Sequence, residues 1–171
     1  MFKKSIIVLS LLITIMSLTA CGGTGSDSAA GDAEPELVGT LSEIMDAVYE
    51  NADLSQDFRD SMSNFSSGEI PAESAEYMIG TTDVAYDESL ISMSMINIQA
   101  YQCILLRLPE DADAEAAKQT LADNADPRKW ICVEAESVIV ENVGNVVMFV
   151  MADTDTAEAL RDSFLGLAQG E

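Results

Sequence analysis

The residue types that could do chemistry here are almost all carboxylates. Glu110-Asp111-Ala112-Asp113 and Asp153-Thr154-Asp155 are the densest acidic clusters. A hard cation such as Ca²⁺ takes about six to eight oxygen ligands, so Asp111, Asp113, Asp153 and Asp155 are the candidate metal ligands. Neither cluster carries the calcium loop with its central glycine and terminal glutamate. Each stands where a strand is expected to hand over to a helix, and there N-capping and the helix dipole already account for acids. The chain has no histidine, which removes the commonest general base and the commonest transition-metal ligand. A Ser-His-Asp or Cys-His arrangement is therefore impossible. Two carboxylates about 5 to 9.5 Å apart could still serve a hydrolase that works as glycosidases do. No spacing in the sequence marks such a pair, so no catalytic residue and no cofactor are assigned.

The cysteines are Cys21, Cys103 and Cys132. None lies in a CxxC, which argues against zinc. Cys103 and Cys132 fall on two expected strands, and a disulfide is possible if those strands are neighbours. Both also sit in apolar runs, and the favoured reading is two buried free thiols acting as small hydrophobes. The serines between Ser61 and Ser67 lack a base and a G-x-S-x-G turn, and read as a loop. The methionines, Met93 and Met95 among them, read as core filler.

The elements that must position these residues follow from periodicity and caps. Thr40 with Glu43 forms a capping box, and Leu41, Ile44, Met45 and Val48 share one face. A helix is expected over 41–51. Phe58, Met62 and Phe65 suggest a second short helix within 54–65, broken by Ser66-Ser67-Gly68. Residues 72–79 form one or two turns stopped by Gly80. Alternation of Ile91, Met93 and Met95 with Ser92 and Ser94 predicts a strand over 90–96. Gln102 to Leu108 is nearly all apolar and reads as a buried central strand. Asp111 or Asp113 caps a helix over 114–124 with Ala116, Ala117 and Leu121 inward. Strands are expected over 130–140 and 146–151, joined by a turn at Asn142-Val143-Gly144-Asn145. Asp153 or Asp155 caps a last helix through Leu167, with Ala159, Leu160, Phe164 and Leu167 inward and Gly170 at its end. Ala114-Glu115-Ala116 repeats as Ala157-Glu158-Ala159, which raises tandem strand–strand–helix units. The fold expected is α+β: a four-stranded, mainly antiparallel sheet with the two later helices on one face, preceded by N-terminal helices.

The N-terminus carries a targeting pattern. Lys3 and Lys4 precede a mostly aliphatic stretch from Ile6 to Ala20, too short and too interrupted by hydroxyl residues for a spanning helix of about 20 apolar residues. Leu18-Thr19-Ala20-Cys21 resembles the lipobox of bacterial lipoproteins. The resemblance implies a signal peptide over 1–20, cleavage before Cys21, and a diacylglycerol on the Cys21 thiol, with acyl chains such as palmitate. It implies a protein held to the cell membrane on its extracytoplasmic face. Residues 21–36, rich in Gly, Ser, Ala and acids, then form a flexible acidic tether with an end-to-end distance of roughly 20 Å, and 37–171 a single domain.

The net charge of −22 would become about −24 once Lys3 and Lys4 are removed with the signal. Such a charge repels nucleic acid and anionic lipid surfaces, so neither is expected as a partner beyond the acyl anchor. It favours solubility, and it permits a cation or a basic peptide as ligand. From about Thr40 to Leu167 the chain also resembles a family of uncharacterised lipoproteins of Gram-positive, clostridia-type bacteria. Glu76-Tyr77-Met78-Ile79-Gly80, the Ile96–Leu108 strand with its acidic-capped helix, and Gly144-Asn145-Val146-Val147 carry that likeness. It implies a domain of unknown function behind a lipobox and linker, and adds no catalytic residue. A lipid-anchored protein with a non-enzymatic binding or envelope-associated role is the expectation.

Overall fold

The computed structural model describes residues 35–96 and 98–169. The helices are α1 (Leu41–Asn51), α2 (Gln56–Ser61), α3 (Ala75–Ile79), α4 (Ala114–Asn124) and α5 (Thr154–Gly166). The strands are β1 (Phe65–Gly68), β2 (Glu88–Ser94), β3 (Gln102–Arg107), β4 (Ser137–Val143) and β5 (Val146–Ala152). They form one five-stranded sheet in the order β1-β2-β3-β5-β4, and every neighbouring pair is antiparallel.

The local signals act as their chemistry requires. Thr40 Oγ1 accepts from the Glu43 amide at 3.2 Å while the Glu43 carboxylate accepts from the Thr40 amide at 2.9 Å, closing the capping box of α1. Asp113 Oδ1 accepts from the Ala116 amide and Asp153 Oδ1 from the Thr156 amide, each at 3.0 Å, so these two acids cap α4 and α5. The β4–β5 turn is made by Gly144, at φ 55°, and Asn145.

The expected sheet lacked a strand. β1 pairs with β2 in register Phe65↔Ser94 to Gly68↔Ile91, at the place read as a helix end and breaker. An edge strand of Ser and Gly holds its place through backbone hydrogen bonds and presents little apolar alternation, so pattern alone does not reveal it. A second correction concerns 130–140, of which only 137–140 enter β4. The stretch from Ala125 to Ala135 instead packs on one face of the sheet outside the ladder and buries Trp130 and Ala135 there, and the Glu136 amide donates to Ala152 O at 3.0 Å just ahead of β4.

The largest correction is in the layers. The helices do not share one face. Leu41, Ile44, Val48, Leu160 and Phe164 pack with Cys103, Leu105, Met148 and Val150 on one side. Ile79, Leu121 and Trp130 pack with Ile104, Leu106, Phe149 and Met151 on the other. Thus α1 and α5 cover one face, and α3, α4 and the 125–135 segment cover the opposite one. All seven residues of β5 are buried, which only cover on both faces can achieve, because successive side chains of a strand point to opposite sides. Ala116, expected inward, is exposed. The two strand–strand–helix units lie side by side as β2-β3 and β5-β4, with α4 and α5 on opposite faces. A two-fold axis normal to the sheet would relate antiparallel β3 and β5 but keep both helices on one face, so the echo between the helices is not a rotational repeat of the fold.

Candidate functional site

The residues singled out by sequence are not brought together. Asp111 and Asp113 lie beside the start of α4, which follows the C-terminal end of β3. Asp153 and Asp155 lie at the start of α5, which follows the C-terminal end of β5. Because β3 and β5 are antiparallel, the two clusters stand at opposite ends of the sheet, about 20 Å apart by strand rise. Among the described residues no group of three or more His, Cys, Asp or Glu is placed to hold a metal ion. Asp113 and Asp153 are engaged as caps. Cys21, the expected lipid-bearing residue, lies outside the described residues, as do the signal segment 1–20, residues 21–34 and Gly170. Pro35 and Glu36 lie against Gly144 at the β4–β5 turn.

What the fold does assemble is an acidic groove. The segment leading into α2 packs beside the first turns of α5, and between them opens a cavity of about 890 Å³. Asp53, Asp57, Asp153, Asp155, Glu158 and Asp162 line it, and among the described residues no Lys or Arg does. A second hollow of about 440 Å³ shares Asp53, Ala159 and Asp162 and runs on between the end of α1 and the later turns of α5. Asp162 is ion-paired with Arg161 at 2.8 Å. Among the described residues the other five acids have no ion-pair partner. Sequence reasoning found two of these six acids, Asp153 and Asp155, and attributed them to capping. The other four are ordinary helix-surface acids until residues 53–57 and 153–162 meet in space.

The far wall of the groove is built by the β2–β3 loop. Gln99 lines the cavity, and its side-chain amide donates to Ser61 Oγ at 3.4 Å. The Met95 amide donates to Asn64 O at 3.1 Å, so the loop is tied to the α2 end. On that loop Met95 is 72% and Ile98 78% exposed, which corrects the reading of Met95 as core filler. This end of the sheet thus combines an acidic trough with two exposed apolar side chains on the loop that sends Gln99 into it.

The chain was compared with protein families, curated proteins and solved structures, and none matches it. The reading of the groove rests on its geometry.

Beneath α1 lies a buried hydroxyl chain. Tyr49 donates to Ser92 Oγ at 2.7 Å, and its oxygen is 2.6 Å from that of Tyr101. Tyr49 has one proton to give, so Tyr101 donates to Tyr49. Phe65 stacks on the Tyr101 ring at 4.6 Å and Phe58 meets it edge-on at 5.0 Å, so the hydroxyls are sealed by aromatic rings. Cys103 is fully buried beside them, as expected of a small hydrophobe, while Cys132 is exposed on the 125–135 segment. Both are free thiols. Cys132 is thus not the buried strand residue expected, because its segment crosses the sheet rather than joining it.

Burial pushes the Cys103 thiol up from about 9 to about 12, with the Tyr101 hydroxyl opposing in part. Burial also raises Tyr49 and Tyr101 above the ordinary phenol value. The folded state therefore keeps protons that the unfolded chain releases. Stability is fully present below pH 9 and is lost as pH rises from 9 toward 12. Each such group contributes a slope of up to about 1.4 kcal/mol per pH unit in that window. Urea titrations from pH 8 to 11 are expected to show this decline, and Cys103→Ala to make it shallower by about one proton. Equal slopes for the two proteins would mean that the thiol titrates freely in the fold.

Proposed function

We propose that this protein is a lipid-anchored, extracytoplasmic binding protein with no catalytic role, and that its acidic groove takes a basic, amphipathic peptide. One observation carries the reading: six carboxylates from two separate chain segments line one groove in which, among the described residues, no Lys or Arg stands. Like charges brought together without counter-ions repel one another, and a polycation relieves that repulsion. The carboxylates are spread along a trough rather than converged on a point, which suits an extended chain of several basic residues better than a single ion. Met95 and Ile98, exposed on the loop that sends Gln99 into the groove, offer apolar surface to the other side of such a peptide. The anchor rests on the likeness of Leu18-Thr19-Ala20-Cys21 to a lipobox.

Titration calorimetry with a short peptide alternating lysine and leucine tests the groove. Binding is expected at low ionic strength and should weaken as salt is raised, because the contacts are exposed and screened. Asp53→Asn with Asp57→Asn and Glu158→Gln should weaken it by about tenfold, since exposed ion pairs contribute roughly 0.2–1 kcal/mol each. A control neutralising Glu69, Glu73 and Asp111, which lie outside the groove, should change it little. Equal losses in the two triple variants would reduce the effect to net charge. Fatty-acid labelling of cells tests the anchor: Cys21→Ala is expected to lose the label, and retention would remove lipidation from the proposal.

A further inference from the structure

On the sheet face opposite α1, one amine stands in a setting unlike any other cation described. Lys129 lies on the segment that crosses this face, three residues after the Asp126-Pro127 turn. Its Nζ donates to Met78 O at 3.1 Å, the end carbonyl region of α3, and also to Gln102 Oε1 on β3. It lies 5.3 Å from the Tyr77 ring centroid and 5.4 Å from that of Trp130. No ion pair among the described residues includes it. The amine lines a cavity of about 540 Å³ whose floor is Phe149 and Met151 and whose rim carries Tyr77, Asn124 and Arg128. That volume is in the range of small-molecule sites, and the lining sets the Tyr77 ring and the Lys129 amine among the polar Glu76, Asn124, Asp126 and Arg128.

Structural duty explains the two hydrogen bonds, since Lys129 joins the end of α3 to the central strand. It does not explain why the amine opens onto a cavity of ligand size, or why no carboxylate pairs with it in a chain of 30 acids. We propose that Lys129 is a covalent acceptor site for a small aldehyde, held as an imine in this cavity beside the exposed Tyr77 ring. The neutral Nζ adds its lone pair to the carbonyl carbon, forming a C–N bond. A proton passes from nitrogen to the carbonyl oxygen to give the carbinolamine, and loss of that hydroxyl as water leaves the C=N bond. No oxidant or reductant is consumed.

Protonation supports the assignment. Burial lowers Lys129 from its ordinary value to about 8, opposed by Asp126, so the nucleophilic form is present near neutrality. The other charged or titratable groups at the cavity are Glu76 and Tyr77 from α3 and Asp126 and Arg128 from its own segment, and Arg128 is paired with Glu134 at 3.2 Å. The strands that form the floor present no charged side chain there. Lys118 is the internal contrast. Burial works against its charge, but ion pairs with Glu115 at 3.0 Å and Glu141 at 3.1 Å outweigh that and raise it.

Reductive trapping with benzaldehyde and cyanoborohydride on the full chain, mapped by peptide mass spectrometry, tests this. Lys129 is expected to be labelled at least about tenfold faster than Lys118 near pH 7.5, following the neutral amine fraction. The rate should rise with pH and level off a little above 8, and it should saturate with aldehyde concentration. Lys129→Arg keeps a donor and a charge but cannot form the imine, and should lose the label while its melting curve stays cooperative. Tyr77→Ala, on an exposed ring, should raise the half-saturating aldehyde concentration without changing the pH at which the rate levels off. Labelling of Lys118 at the rate of Lys129 overturns the proposal. So does a rate strictly linear in aldehyde, which would show a reactive amine with no binding site.

Discussion

Ile104→Asp and Leu105→Asp are each expected to abolish cooperative folding. The two residues are neighbours on β3, both are 0% exposed, and they point into different cores. Ile104 faces the layer of α3, α4 and the 125–135 segment. Leu105 faces α1 and α5. An unpaired carboxylate buried in either place costs several kcal/mol, comparable with the whole stability of a domain of this size. Loss of the branched side chain adds to that through lost packing. Thermal and urea unfolding followed by circular dichroism should show no sharp transition for either variant. A sheet covered on one face only would tolerate the aspartate on its wet side. A wild-type melt for either variant would therefore show that its face is open.

The second large effect is expected at Gly80. It ends α3 in the left-handed region, at φ 92°, and its amide donates to Glu76 O at 2.9 Å. A side chain there is strained by about 1–2 kcal/mol before any contact is considered. The contact is worse. A Cβ on Gly80 would fall onto the carbonyl oxygen of Asn124, with the carbonyl carbon at 2.9 Å, and backbone at the end of α4 cannot rotate away as a side chain can. Gly80→Ala must push α3 and α4 apart over the face they jointly cover. With strain and overpacking together the expected loss is about 3 kcal/mol, or a fall in Tm of roughly 10 °C. Gly166→Ala is the control, since a Cβ there meets nothing and the residue lies within α5. It should be neutral or slightly stabilising by helix propensity. Similar melting temperatures for Gly80→Ala and wild type would mean that α3 does not approach α4 as closely as this.

The two effects share a cause. Stability in this domain depends on covering an apolar strand pair, β3 and β5, from both sides. α1 and α5 do so through a conventional helix stripe, and Ser163 Oγ ties the pair together by donating to Val48 O at 2.8 Å. The opposite face has only one full helix, and the remainder is filled by short α3 and the crossing segment, pinned through Lys129 and Trp130. The less regular face is the one that carries the Lys129 cavity.

The features legible along the chain are those that depend on neighbours a few residues apart. Thr40 and Glu43 set the start of α1. Asp111 or Asp113 and Asp153 or Asp155 mark the starts of α4 and α5, and the first-turn amides select Asp113 and Asp153. Gly80 ends α3, and Gly144 turns β4 into β5. The unbroken apolar run from Cys103 to Leu106 announces a strand buried on both faces, and it is the middle strand of five. Capping, turn chemistry and side-chain period act over three or four positions, so they can be read in order along the chain. The remaining features arise from packing between distant segments. Whether a helix lies above or below a sheet depends on how its connection crosses, and the stripe of α4 reads the same either way. A strand such as β1, Phe-Ser-Ser-Gly, exists because β2 offers it a free backbone edge. Residues 130–136 look like a strand by composition, but Lys129 and Trp130 are drawn onto the sheet face and the backbone follows. The acidic groove joins residues 53–57 to 153–162, and the Lys129 cavity joins residues 77–80 to 124–129 and 149–151. Charge and burial depend on distance in space, and that distance is set by the packing of the two layers against the sheet.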